Sequence, residues 1–236
     1  MKKNPRMSSL IDKAVFDYKL IEDGDNILIG ASGGKDSTVL IEYFSQRIKR
    51  PNTNFNYLAL NIQSDFGSMF PQKIKNLFDE WNVPFKSIDV DIENRVKLGQ
   101  KMSCYWCATQ RRTELINYAM ANGFNKIALG HHLDDLLETF IMNMLNKCEI
   151  STMPPKLQYK NYPVTIIRPL CYISEDRIVE YSKNNGFDGF VCTCNYQNNS
   201  DRKAARVLLE NLTQGDRIKK EHIFSALKNI QTDYLP

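Results

Sequence analysis

Short apolar runs alternate with amphipathic helical stretches along this 236-residue chain, and that alternation restricts its fold more than any other feature. Residues 26–30, 57–62, 85–92, 126–130 and 164–168 read as strands. Residues 37–49, 72–82, 109–122, 134–147 and 175–185 read as helices, and Val39, Leu40, Tyr43 and Phe44 share one face of the first. Gly123 and Gly186 stand where helices take a C-terminal glycine. Strands that alternate with helices form a parallel sheet covered on both faces. The expected class is therefore α/β: a parallel five-stranded sheet with helices on both faces, plus C-terminal helices over 201–212 and 216–230. Such sheets bind ligands beyond the carboxyl ends of their strands. The expected division is a helical extension over 1–25, the α/β domain over 26–190, and a cysteine loop with helices over 191–236 that completes the active site.

The turn after the first strand carries the strongest chemical signal. Ser32, Gly33, Gly34, Lys35, Asp36 and Ser37 follow the strand directly and open the first helix. Small residues let backbone wrap an anion. The N–H groups of a helix start, helped by its dipole, then face phosphates. Ser32 and Ser37 add hydroxyls, Lys35 adds charge, and Asp36 suits a Mg²⁺ ion beside the phosphates. The spacing is neither that of the Walker A loop nor G-x-G-x-x-G. A second segment, Gly130-His131-His132-Leu133-Asp134-Asp135, ends the fourth strand and opens the fourth helix. It reads as another side of the same pocket.

Six cysteines, in a chain with no apolar run near the ~20 residues of a membrane span and no signal-like N-terminus, point to metal or redox chemistry in the cytoplasm. Cys104 and Cys107 form a C-x-x-C pair between the third strand and its helix. Cys192 and Cys194 stand far along the chain, before a helix. Four thiolates suit Zn²⁺ or a fully ligated cluster, whereas three leave one iron of a [4Fe–4S] cluster open. Cys148 and Cys171 have no partner spacing and read as ordinary packing residues. A net charge of +4 permits a nucleic-acid partner. Basic residues cluster at Arg47, Lys49 and Arg50, at Arg111 and Arg112, at Arg202, Lys203 and Arg206, and at Arg217, Lys219 and Lys220.

The 32–37 turn resembles the SGGxDS signature of PP-loop ATP pyrophosphatases, which cleave ATP between the α and β phosphates and adenylate a substrate. Leu60, Asn61 and Ile62 fall where that family's backbone meets the adenine, with Gly130, His131 and Asp135 on the pocket's other side. Nearly the whole chain resembles one subgroup, the tRNA 2-thiocytidine synthetases (TtcA-like). The match covers the 32–37 turn, Cys104 to Cys107 trailed by Arg111 and Arg112, residues 126–135, 153–157 and 167–170, and the late cysteine before Gln197. The resemblance makes Cys194 the third cluster ligand, with Cys192 as the alternative.

The resemblance further implies an ATP-dependent tRNA sulfurtransferase using Mg²⁺ and a [4Fe–4S] cluster. It adenylates the C2 oxygen of a cytidine, C32 of the anticodon loop in the family, and replaces that oxygen with sulfur. Lys35, Asp36, Cys104, Cys107 and Cys194 are the implied catalytic set. The implied partners are tRNA, a sulfur donor (a cysteine desulfurase or sulfide), an electron donor and a second copy of the chain, with no membrane. Three other readings stand beside it: a tRNA lysidine synthetase-like ligase with structural zinc, a nucleotide or redox sensor without catalysis, and thiolation of another nucleoside or small molecule.

Overall fold

The computed structural model describes residues 6–65, 69–95, 104–187 and 200–234. Six strands build one sheet: β1 Asp25–Gly30, β2 Phe55–Ser64, β3 Phe85–Val90, β4 Lys126–Ala128, β5 Lys156–Gln158 and β6 Thr165–Ile167. Their order is β3-β2-β1-β4-β6-β5. All neighbours are parallel except β5, which runs antiparallel to β6 at the edge. The expected five-stranded parallel sheet thus gains a sixth, reversed strand. Three residues are too short to show a period-2 pattern, so only the pairing of Leu157 with Ile166 reveals β5.

Alternate residues of β1 serve the two faces. Ile27 and Ile29 join the larger core, which holds helices α1 (Met7–Tyr18), α2 (Lys35–Arg47), α3 (Gln72–Glu80), α5 (Leu133–Lys147) and α6 (Glu175–Asn184). Leu28 joins the smaller core on the opposite face, under α4 (Cys104–Ala121) through Leu115, Ile116 and Ala119. Burying a side chain such as Leu28 in full contributes roughly 1.5–3 kcal/mol. Ala205 and Leu209 of α7 (Ser200–Thr213) and Phe224 of α8 (Arg217–Ala226) extend the larger core. No helix among the described residues is long and apolar enough to cross a membrane.

Two helix starts differ from the sequence expectation. α2 begins at Lys35 rather than Ser37, with Gly34 as N-cap and no side-chain cap. α4 begins at Cys104 rather than Thr109, so the cysteine pair occupies the helix's first turn instead of a connection. Trp106 packs against the smaller core, a tertiary contact that carries the helix past its own periodic pattern. Cys148 also departs from a packed position: it is exposed and ends α5 in a left-handed conformation (φ 55°). Cys171 is fully buried, and burial pushes its thiol up to about 12.

Candidate active site

The carboxyl ends of β1, β2 and β4 surround one cleft of about 360 Å³. β1 leads through Ala31, whose N–H donates to the Leu60 carbonyl at 2.9 Å, into the 32–37 turn. Gly33 takes φ +79°, and a Cβ there would meet Pro71 at 2.7 Å, so both conformation and space require glycine. The Ser32 and Ser37 hydroxyls lie 3.0 Å apart, and Ser37 and Thr38 each donate to the Gly34 carbonyl at 3.0 Å. These bonds fix the turn while leaving the start of α2 without a side-chain cap. Gly130 closes the far side. A Cβ on it would lie 3.0 Å from the Ser37 nitrogen, so the end of β4 packs directly on the turn.

Ser32, Asp36 and Ser37 line the cleft together with Leu60, Asn61 and Ile62 at the end of β2 and Gly130, His131 and Asp135 after β4. The fold therefore brings most of the expected nucleotide residues to one surface. Gly33, Gly34 and Lys35 complete the turn outside the lining. The Lys35 ammonium instead bridges Asp36 at 3.2 Å and Glu175 of α6 at 3.1 Å. Gly30, Leu115 and Leu129 give the β2 side an apolar wall, and Arg111 and Arg112 of α4 add positive charge.

The polar floor holds charge without full compensation. Burial raises the Asp36 carboxyl above its ordinary value, against His132 and Lys35, and its Oδ1 has no hydrogen-bond partner. Burial also lowers the His131 imidazole to about 4, and its Nδ1 has no hydrogen-bond partner. Burial alone would raise Asp135, yet His132, His131 and Arg202 outweigh it and hold the carboxyl below its usual range. His132, buried at the start of α5, stands between the carboxylates, with Nε2 3.4 Å from Asp135 and 4.0 Å from Asp36. Buried polar atoms lacking partners are what a ligand-binding surface leaves available.

A family model described as a PP-loop domain matches residues 4–212. The tRNA-cytidine(32) 2-sulfurtransferase of Methylococcus capsulatus is 34% identical over 235 residues, covering 98% of this chain and 81% of that protein. Its counterpart in Geotalea uraniireducens is 32% identical over 235 residues, covering 98% and 93%. The chain belongs to this PP-loop sulfurtransferase family. Among solved structures, the U34-tRNA thiolase NcsA from Methanococcus maripaludis with its [4Fe-4S] cluster superposes with a TM-score of 0.77. That match covers 98% of this chain and 80% of NcsA at 20% identity, a likeness of fold.

In this PP-loop chain the first described cysteine sulfur stands beside the cleft. Cys107 is 4% exposed, and its Sγ accepts a hydrogen bond from the Arg111 guanidinium at 3.2 Å. Ala108 and Arg111, on the same stretch of α4, line the cleft. Cys104 opens the helix three residues earlier, on the same face by helical spacing. Its side chain, together with Cys192 and Cys194, lies outside the described residues. Among the described residues no three His, Cys, Asp or Glu groups are arranged to hold a metal ion.

The sequence reading placed His132 in the pocket segment and Arg111 in a basic pair without giving either a role. The central place of His132 depends on how α5 docks. Arg111 carried a usable signal, since it follows Cys107 by one helical turn. Glu138 carried none beyond lying four residues after Asp134; it is 0% exposed and paired with Arg202 and Arg206 of α7 at 3.1 and 2.7 Å.

Proposed function

We propose that this chain is an ATP-dependent tRNA sulfurtransferase that exchanges the C2 oxygen of a cytidine, C32 of the anticodon loop, for sulfur. One observation carries it: the phosphate-type turn, the end of β2 and the α4 turn bearing Cys107 converge on a single cleft. The uncapped N–H groups of α2, with Ser32 and Ser37, hold the β and γ phosphates. The adenine lies against Leu60 to Ile62, Leu115 and Leu129. Asp36 would hold Mg²⁺, and the ion's charge would offset the burial that raises this carboxyl. Asp135, held below its usual range and 3.6 Å from the Arg202 guanidinium, flanks the same phosphates.

The cytidine C2 oxygen attacks the α phosphorus and pyrophosphate leaves. Sulfide then bonds to C2, the C2–O bond breaks, and the oxygen departs in AMP. This exchange is redox-neutral with sulfide; a persulfide donor such as that of a cysteine desulfurase requires two electrons from a reductant. The protein supplies positioning and charge neutralisation in a shielded cleft. Cys104, Cys107 and Cys194, or Cys192 in its place, would hold a [4Fe–4S] cluster, which with three thiolate ligands supplies one open iron for the sulfur. Cys107 fits this role by its place: its buried sulfur lies on the α4 turn beside the cleft and accepts a hydrogen bond from the Arg111 guanidinium. Arg112 and the 153–156 loop contact a splayed RNA loop, since C2 is unreachable in a stacked base. We place the enzyme in the cytoplasm, acting as a dimer.

Iron-loaded protein given ATP, sulfide and tRNA should produce 2-thiocytidine, AMP and pyrophosphate, read by nucleoside mass spectrometry. Cys107→Ala should lose iron and thiolation while still binding ATP. Wild-type, iron-loaded protein that binds ATP and tRNA yet adds lysine, or nothing, to the base sinks the assignment.

A further inference from the structure

Charged side chains form a continuous chain from the phosphate turn to α7. Lys35 of the turn pairs with Glu175 of α6 at 3.1 Å, and Glu175 faces Arg206 of α7 at 3.5 Å. Arg206 donates to Glu138 of α5 at 2.7 Å. The other Glu138 oxygen meets Arg202 at 3.1 Å, and Arg202 returns to Asp135 in the cleft at 3.6 Å. Both ends of the chain are therefore nucleotide-side residues, and its middle is a fully buried carboxylate. A second tie supports the same elements: Asp134 accepts the Glu175 N–H at 2.7 Å and pairs with Lys220 of α8 at 2.7 Å.

We propose that Glu138 is a positioning residue that pins Arg202 and Arg206, so that binding of a nucleotide triphosphate and the seating of α7 are thermodynamically linked. The physical reason is competition for one ammonium. Lys35 is shared between Asp36 and Glu175, and a phosphate beside the turn draws it away. Glu175 then keeps Arg206 as its near cation, which tightens α7 against α5 and α6. A buried carboxylate is costly without its partners, so Glu138 resists release of either arginine. Linkage is reciprocal: whatever nucleotide adds to the seating of α7, α7 returns to nucleotide affinity. Cys194 stands six residues before the start of α7 in the sequence. Under the sulfurtransferase reading on which this last step rests, the seating of α7 aligns sulfur delivery with the adenylated base.

Hydrogen exchange of the α7 amides in iron-loaded protein, with and without α,β-methylene-ATP, reads the linkage directly. In the wild type the analogue should slow exchange by about fivefold or more. Glu138→Gln should reduce that protection below about twofold, with iron content retained. Arg206→Gln, at a half-exposed position and with Arg202 still beside Glu138, should do the same. Both variants should release more pyrophosphate per thiolated nucleoside than the wild type, because adenylation outruns sulfur transfer. Wild-type protein without analogue-dependent protection, or Arg206→Gln with full protection and an unchanged ratio, overturns the proposal. The exchange measurement needs no RNA. Protection that behaves as expected in a protein that never thiolates tRNA would uphold the linkage and defeat the sulfurtransferase assignment alone.

Discussion

The two ends of the same sheet bury charge in opposite ways. At the amino end, Asp25 and Lys126 are each 4% exposed and lie 2.7 Å apart. Lys126 also meets Glu22 at 2.8 Å, and Asp25 accepts from the Asn125 amide and the Glu22 N–H at 2.8 and 2.6 Å. Every charge there has a partner on the protein. At the carboxyl end, Asp36 has only the Lys35 ammonium, 3.2 Å away and shared with Glu175, while its Oδ1 and the His131 Nδ1 are buried with no hydrogen-bond partner. Burial raises the acid at this end and lowers the base. A closed ion cluster holds strands together, whereas an unsatisfied one holds a ligand. Burial of a charge alone does not tell the two apart; the count of its partners does.

The contrast breaks if the closed end proves dispensable. Lys126→Met leaves the Asp25 carboxylate buried without its cation, and stability should fall by about 3–5 kcal/mol, read from the urea midpoint. Nucleotide affinity should hold wherever the variant stays folded. At the open end the order reverses. Asp36→Asn should slow tRNA-dependent pyrophosphate release by about 10²–10³-fold, with no loss of stability, because it removes a carboxylate that burial disfavours. A destabilised Asp36→Asn protein would make that end structural as well.

The pH dependence sharpens the comparison further. The folded-state value for His131, about 4, lies below its ordinary 6.5. Its neutral form therefore contributes stability that is complete above about pH 6.5 and drains away as pH falls towards 4. His131→Asn should flatten the fall in chemical stability over that window, measured by urea titration at successive pH values. The smallest effect belongs to the rim of the closed end. Lys156→Ala removes a partly exposed pair with Glu22 at 3.2 Å and should change stability by no more than about 1 kcal/mol. A larger loss would extend the closed cluster to the edge strand β5.

The α/β layout, the 32–37 turn, the 60–62 wall and the pairing of residues 130–135 with the turn were legible in the sequence. The layout, the turn and residues 130–135 are written in consecutive residues whose period, glycine placement or helix-start chemistry acts locally, whereas the place of 60–62 followed from the resemblance to the PP-loop family. The reversed strand β5, the extension of α4 back to Cys104 and the central place of His132 appear only in the folded chain. So does the chain of charges from Lys35 through Glu175 and Arg206 to Glu138. Its partners are brought together by how four helices dock. A charged residue in a helical pattern looks the same in sequence whether solvent or another helix will face it.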